Sequence, residues 1–385
     1  MQDNKYIISE KTVFEMLDSS KRVLLIEPPY QRQYYPLAFG KIAAYIKKRK
    51  GIVEYVRNAG FGKYDLICIT SLFTTDSKIV INAILECQRS LFLRGVPIMV
   101  GGIFASLMPK YIYEKTGIRS FSGYSKKLDN VQPDYSLGCD LKSPWNDACI
   151  CFTTRGCPNK CGYCMVWRME PGFYVNLNWK RQFENDKEIA LISDNNFLSA
   201  SIEHIDEVTQ YVSKRKKVIF NNGVDCRLVN DDNAKMLARL TYTRQGLRTA
   251  FDRMMDDGYY QKAMEGFIKA GIKIKGNSYT YVLFNFDDTP QEAYYRAREC
   301  WKYGSNPYLM RYRPLNKLTR KNSYIGKYWT KNLIRAFSNY GMNFGYNRGD
   351  KSFEGWVKGR ADVEQKNKYK LKLTDEDWEK WNYKR

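Results

Sequence analysis

Residues 148–164 read ACICFTTRGCPNKCGYC, and the reading of this stretch decides the fold. Ala148–Thr154 is a short, mainly apolar run of the kind that forms a buried strand. It gives way to the turn Thr154-Arg155-Gly156 and then to Cys157-Pro158-Asn159-Lys160-Cys161-Gly162-Tyr163-Cys164, three cysteines separated by three and two residues in a loop. With 10 Cys in 385 residues, such a spacing arises by chance roughly 0.007 times per chain, and requiring an aromatic before the last Cys lowers that to about 0.001. The spacing is therefore chemical information.

The cysteine loop opens a series. Apolar runs recur at Glu188–Ser193, Lys217–Asn221, Leu247–Phe251, Asn277–Asn285 and Asn306–Met310, separated by amphipathic helical stretches. These βα units over residues 146–315 predict a partial (β/α)6 barrel or strongly curved parallel sheet, whose catalytic face is the carboxyl end of the strands. Upstream, Val23–Ile26, Asp65–Thr70 and Pro97–Val100 carry the same alternation through residues 1–140. The first run ends in Glu27-Pro28-Pro29 and the third in Gly101-Gly102, so both break into loops where open α/β sheets hold ligands. The fold class is α/β: an N-terminal doubly wound, Rossmann-like domain, then the barrel, then a small basic C-terminal extension over residues 316–385. No solenoid repeat or Gly/Ser linker separates them, and the first joint falls in Gly123–Trp145.

Thiolates select iron–sulfur clusters or zinc. A structural zinc needs four closed ligands, and Cys149 or Cys151 is the available fourth. Three thiolates on one loop suit instead a four-iron cluster with one iron left open to a cofactor or substrate. Cys157, Cys161 and Cys164 are the metal ligands in that reading.

Cys157-x3-Cys161-x-Tyr163-Cys164, after a strand and Thr154-Arg155-Gly156, resembles the cluster motif of the radical SAM superfamily. The resemblance implies a 4Fe-4S cluster on these three cysteines, S-adenosylmethionine at the open iron, and its reductive cleavage to a 5′-deoxyadenosyl radical. It implies that Tyr163 packs near the adenine and that Asp194 and Asn195 contact the methionyl amino group. Asp225 and Arg227, within Asn221–Leu228, are implied beside the cofactor, and Asp252 at a ribose hydroxyl. Tyr281–Pro290 and Tyr308–Pro314 resemble the fifth and sixth strand ends of such a barrel. A reducing partner such as flavodoxin or ferredoxin belongs to the same likeness. Each strand-end group also has a plain structural reading: turns or helix caps for the asparagines, and a bridge to Asp225 for Arg227. Cys226 reads as a small buried side chain.

Residues 1–140, through Pro97–Ala105 in particular, resemble the cobalamin-binding-like domain that precedes the barrel in one large radical SAM subgroup. His-ligated cobalamin requires a loop His in an Asp-x-His-x-x-Gly setting. The single His of the chain is His204, which shares helical spacing with Ile202, Ile205 and Val208 outside this domain. His-ligated cobalamin is thereby excluded. Some relatives bind cobalamin with no protein ligand, but a scaffold or substrate-recognition domain is the expectation here. Cys68, Cys87, Cys139 and Cys300 are scattered, with no second triplet for an auxiliary cluster, which disfavours sulfur insertion.

Composition bounds the rest. Lys+Arg number 63 against 41 Asp+Glu, a formal charge of +22, and residues 316–385 hold 17 Lys+Arg against 8 Asp+Glu. A basic surface attracts polyphosphate, so RNA or a nucleotide-bearing molecule is the favoured substrate class. Joint enrichment in Lys, Asn, Tyr and Ile, as AT-rich coding produces, is the competing origin of the charge. After Lys317 the cations interleave with Tyr324, Tyr328, Trp329, Phe337, Tyr340, Phe344, Tyr346 and Trp356. That pattern serves base stacking or the core of a cap with Lys366–Lys372 as its solvated face, and the cap is favoured. A zinc-bearing, non-enzymatic nucleic-acid-binding protein is the alternative to the enzyme, and an enzyme acting on a peptide or small metabolite is another. No apolar run reaches a membrane span, and residues 1–22 lack the apolar centre of a secretory signal, so the expected compartment is the cytoplasm, without membrane attachment.

Overall fold

The computed structural model describes residues 4–31, 34–57, 60–139, 141, 145–319, 324–347, 352–363 and 372–383. Residues 366–371 of the basic Lys366–Lys372 run lie outside the described residues, as do the side chains of Phe344 and Tyr346 and positions 140 and 142–144 of the expected joint. The chain divides into two compact units. The first comprises Met1–Lys160, Cys164–Lys187 and Leu315–Arg320, and the second Cys161–Tyr163, Glu188–Pro314 and Lys321–Arg385.

The first unit is built on a parallel sheet of β1 (Ile7–Ile8), β2 (Arg22–Ile26), β3 (Ile52–Val56), β4 (Leu66–Ser71), β5 (Ile98–Gly102) and β6 (Ser120–Phe121), in the order β1-β6-β5-β4-β2-β3. Side chains alternate across a strand, and the alternation builds two cores. Val23, Leu25, Leu66 and Cys68 face Phe14, Phe39 and Ile42 on one side. Leu24, Ile26, Ile67 and Ile69 face Val80, Ile84 and Phe104 on the other. This two-sided burial is why β2 and β4 read as continuous apolar runs rather than alternating ones. The strand order reverses between β2 and β4, and such a switch point opens a crevice at the carboxyl ends. A cavity of about 560 Å³ lies there, lined by Pro29, Tyr30, Phe73, Thr75 and Ile79 among others. The same unit contains β7 (Ala148–Cys151) and an antiparallel pair, β8 (Thr154–Gly156) with β9 (Phe173–Val175).

The second unit holds the parallel pair β10 (Ile189–Ile192) and β11 (Lys217–Phe220), and the parallel sheet β12 (Leu247–Ala250), β13 (Ser278–Phe284) and β14 (Asn306–Arg311). Single-residue bridges Val218↔Tyr242 and Val224↔Thr249 carry the pairing from the β11 region toward β12. A helix follows each of β10 to β13, at Ile202–Ser213, Asp231–Ala238, Tyr259–Lys269 and Pro290–Lys302. Their starts carry local signals, such as the Thr289 capping box with Glu292 and Ser201 accepting from the His204 N–H. His204 is a buried residue of its helix, and burial lowers its pKa from the ordinary imidazole value.

The C-terminal helices pack onto this unit through the aromatics noted in the sequence. Trp329, Phe337, Tyr340 and Trp356 are buried with Phe353 and Trp381 in one core that includes Phe284 of β13. These rings are core, so they are unavailable for base stacking. Among the described residues no helix is long and apolar enough to cross a membrane.

Candidate active site

The base of the cysteine loop is pinned in the first unit. β8 and β9 pair as Arg155↔Tyr174 and Gly156↔Phe173, so the chain leaves at Gly156 and returns at Phe173 with the motif between. Arg155 is buried and donates from Nε and Nη2 to both oxygens of Asp129 at 2.7 Å, and from Nη1 to Glu170 at 3.1 Å. Its guanidinium lies 3.4 Å from the centre of the Phe152 ring. Lys41, also buried, donates to Asp129 at 2.7 Å. The second Glu170 oxygen accepts the Gly156 N–H at 3.0 Å. Gly156 sits at φ +72°, and a Cβ there would stand 1.7 Å from the Gly172 carbonyl oxygen, so only glycine fits this turn. Burial opposes the charge of Asp129, but Arg155 and Lys41 outweigh it and hold the carboxyl below its ordinary value.

Cys157, Cys161 and Cys164 are half-buried and in no disulfide. Cys164 Sγ accepts the Val166 N–H at 3.5 Å. Among the described residues no three His, Cys, Asp or Glu side chains are arranged as a ready metal site. The other cysteines differ in kind. Burial pushes the Cys87 thiol up to about 11 and the Cys300 thiol to about 12, and raises Cys68 and Cys226 further. Buried Cys149 and Cys151 sit on β7 with sulfurs 3.6 Å apart, and Cys151 contacts the Gln182 carbonyl at 3.4 Å. The cysteines that keep some surface are those of the motif and Cys139.

In the second unit several of the singled-out residues converge. The Tyr163 ring meets Phe286 edge-on at 5.6 Å and lies 6.0 Å from the Arg253 guanidinium. Its hydroxyl lies within electrostatic reach of the Asp252 carboxylate, which accepts the Leu283 N–H at 3.0 Å. Arg227 and Arg253 are both within electrostatic reach of the Cys161 sulfur, and both approach Asp256, at 4.0 and 3.2 Å. Arg227 grips Asp225 through two bonds of 2.8 and 2.7 Å, so the bridge anticipated as its structural role is formed. That pairing raises the Arg227 pKa; burial works against the Asp225 charge, yet Arg227 holds that carboxyl below its ordinary value. Asn196 donates to Asp225 at 3.0 Å. Asp194 is buried at the end of β10, and Asn195 keeps some surface and accepts weakly from Asn222 at 3.5 Å.

Sequence reasoning missed Arg296, which is fully buried and ties the ends of β12 and β13 together. It donates to the carbonyls of Phe251, Asp252 and Leu283 at 3.0, 2.8 and 2.7 Å and pairs with Asp288 at 2.5 Å. It also missed Arg253 and Asp256, whose i,i+3 spacing directly after the strand end was the available signal. Beside Asp252 lies a cavity of about 310 Å³ lined also by Arg253, Met254, Phe286 and Asp288.

Burial pushes the Asp252 carboxyl up to about 6. A carboxyl whose folded pKa is raised binds more protons folded than unfolded, so its ionisation erodes stability as pH rises from about 4 through about 6 and levels off above. Asp252→Asn is therefore expected to unfold a few degrees above the parent at pH 7.5, with the gap closing by pH 4.5, as read by thermal melts. An equal gap at both pH values would refute the raised pKa.

The fold has counterparts among solved structures. Two solved structures share it at 13% identity: the radical S-adenosylmethionine methyltransferase TsrM from Kitasatospora setae with cobalamin and a [4Fe-4S] cluster bound, and the same enzyme with its tryptophan substrate and a SAM analogue. The first has a TM-score of 0.58 over 77% of each chain; the second has 0.57 over 78% of this chain and 75% of the other. No family model and no curated protein sequence matches this chain.

Proposed function

We propose that this protein is a radical SAM enzyme, with Cys157, Cys161 and Cys164 holding a 4Fe-4S cluster. The observation that carries the reading is the donor set: three half-buried cysteines on one loop whose base is fixed by buried ion pairs, while of the scattered cysteines Cys68, Cys87 and Cys300 are buried and Cys139 stands alone. Such a cluster, when bound, supplies the electron that cleaves S-adenosylmethionine to a 5′-deoxyadenosyl radical and methionine. The chain's own groups do the positioning. Tyr163 offers a ring beside the loop, Asp252 an acceptor for a ribose hydroxyl, and Asn195 a polar contact for the methionyl end. Asp225 and Arg227 brace the rim as a pair rather than each meeting the cofactor. Arg296 fixes the strand ends that carry Asp252.

A second reading concerns the first unit, which the sequence led us to expect as a scaffold. A cavity of about 240 Å³ lies beside β4 and β5, lined largely by apolar side chains such as Phe39, Ile42, Ile69 and Met99, with Gly101 and Gly102 at its wall. Gly102 has φ +106°, and a Cβ there would stand 2.2 Å from the Ser71 carbonyl oxygen. This cavity fits a flat aromatic group such as the base tail of a cobalamin. The unit contains no His, so the bound form would lack a protein imidazole ligand. With TsrM as the structural likeness, methyl transfer is the reaction we favour, on a substrate taken up near the second unit's strand ends.

Anaerobic reconstitution with iron and sulfide tests both readings. Broad visible absorption and, with dithionite and S-adenosylmethionine, 5′-deoxyadenosine are expected. A colourless zinc protein with no such product would overturn the enzyme. Retention of hydroxocobalamin through desalting supports the second reading, and its complete loss returns the first unit to a scaffold.

A further inference from the structure

The sheet β12–β13–β14 has two unlike faces. Thr249, Ser278, Thr280 and Val282 are buried beneath Tyr260 and the helices. The alternate positions Arg248, Tyr279, Tyr281 and Tyr308 point the other way, as period 2 requires, and each keeps part of its surface, Tyr308 as much as 41%. Register makes them neighbours: Arg248↔Tyr279 and Tyr281↔Tyr308. Tyr279 and Tyr308 stack at 5.3 Å and 29°, and Tyr281 stands edge-on to both at 5.6 and 6.2 Å.

Arg248 sits at the border of this aromatic group, its guanidinium 5.9 Å from the Tyr279 ring. One nitrogen, Nη1, donates to Asn221 Oδ1 at 3.0 Å, to the Asn221 carbonyl at 3.3 Å and to Tyr281 Oη at 3.0 Å. Tyr281 in turn donates to the Asn221 carbonyl at 2.9 Å. All these partners are neutral, and among the described residues no carboxylate pairs with Arg248, in contrast to Arg155, Arg227 and Arg296. A guanidinium held by one nitrogen, with Nε and Nη2 still to donate, is set up for two parallel bonds to an anion. Tyrosine faces beside it bind planar rings.

We infer that this face takes the substrate, and that the substrate is a small planar aromatic molecule carrying a carboxylate or phosphate, its ring on Tyr279 and Tyr308 and its anion on Arg248. The inference deepens the radical SAM reading and rests on it for the word substrate. An aromatic amino acid and a nucleoside monophosphate share this chemistry.

The full-length protein, titrated by calorimetry with L-tryptophan and with adenosine 5′-monophosphate, is expected to bind one of the two. Its counterpart without the anion, tryptamine or adenosine, should bind about tenfold to a hundredfold more weakly, the range for losing a charged hydrogen bond. Arg248→Gln should remove that difference, and Tyr308→Leu, at a ring 41% exposed, should weaken both members of the pair. S-adenosylmethionine should not displace the ligand. The inference is overturned if neither anion binds, if anion and neutral analogue bind alike, or if S-adenosylmethionine competes, which would make the face part of the cofactor site. Cleavage of S-adenosylmethionine without aromatic binding would sink this inference and leave the enzyme reading intact; binding that depends on Arg248 without cleavage would do the reverse.

Discussion

Cys161→Ala is expected to reduce the broad visible absorption of the reconstituted protein to that of residual iron and to bring 5′-deoxyadenosine formation down to background. Its sulfur is within electrostatic reach of Tyr163, Arg227 and Arg253. A three-ligand cluster has no protein ligand to spare, so loss of one sulfur removes the site rather than weakening it. Cys300→Ala is the matched control. That thiol is fully buried and pushed up to about 12, a small apolar group in practice, and its removal should leave absorption and product unchanged. Wild-type absorption and product from Cys161→Ala would refute the ligand assignment outright. Loss with Cys300→Ala and not with Cys161→Ala would move the cluster elsewhere in the chain.

The strands and the cysteine loop were legible in the sequence because both are written locally. β2, β4, β10 and β13 lie within a residue or two of the apolar runs at Val23–Ile26, Asp65–Thr70, Glu188–Ser193 and Asn277–Asn285. What the sequence did not disclose is whatever depends on partners far along the chain. Arg155 stands in the recognised turn, but Asp129 and Lys41, 88 residues apart, declare no relation to each other until the fold brings them together. That Arg227 closes two bonds on Asp225 is likewise visible only in the geometry. The alternation Arg248-Thr249-Ala250 against Tyr279-Thr280-Tyr281 was present in the letters, yet only the register shows that the charged and aromatic positions share one face. The C-terminal aromatics are the opposite case. Their mixture with lysines suits a stacking surface or a core equally well, and burial of Phe337, Tyr340 and Trp356 settles that these rings are core.

Asp129→Ala carries the largest expected cost in stability, about 3–5 kcal/mol, because it strands two buried cations at once. In the parent, Asp129 takes two bonds from Arg155 and one from Lys41, with all three side chains almost excluded from solvent. Removing the carboxylate leaves Lys41 with no carboxylate partner among the described residues and Arg155 with Glu170 as its remaining one. The loss is then transmitted to the motif, since Arg155 and Gly156 share Glu170 and together hold the strand from which Cys157 departs. Chemical denaturation should show the drop in midpoint, and reconstitution of whatever remains folded should show reduced iron content. Acid tests the same group from the other side. A carboxyl held below its ordinary value contributes stability above about pH 4 that is lost as pH falls through its folded pKa, so the parent should lose stability in that acid range and Asp129→Ala should lose less. Replacing the three charges together, as Lys41→Met, Asp129→Leu and Arg155→Met, removes the stranded cations and should recover most of the stability, while iron content stays low because the Glu170 anchor of the loop has lost its arginine. Asp129→Ala within 1 kcal/mol of the parent, or a triple variant that loads iron normally, would show that the buried ions do not fix the cysteine loop.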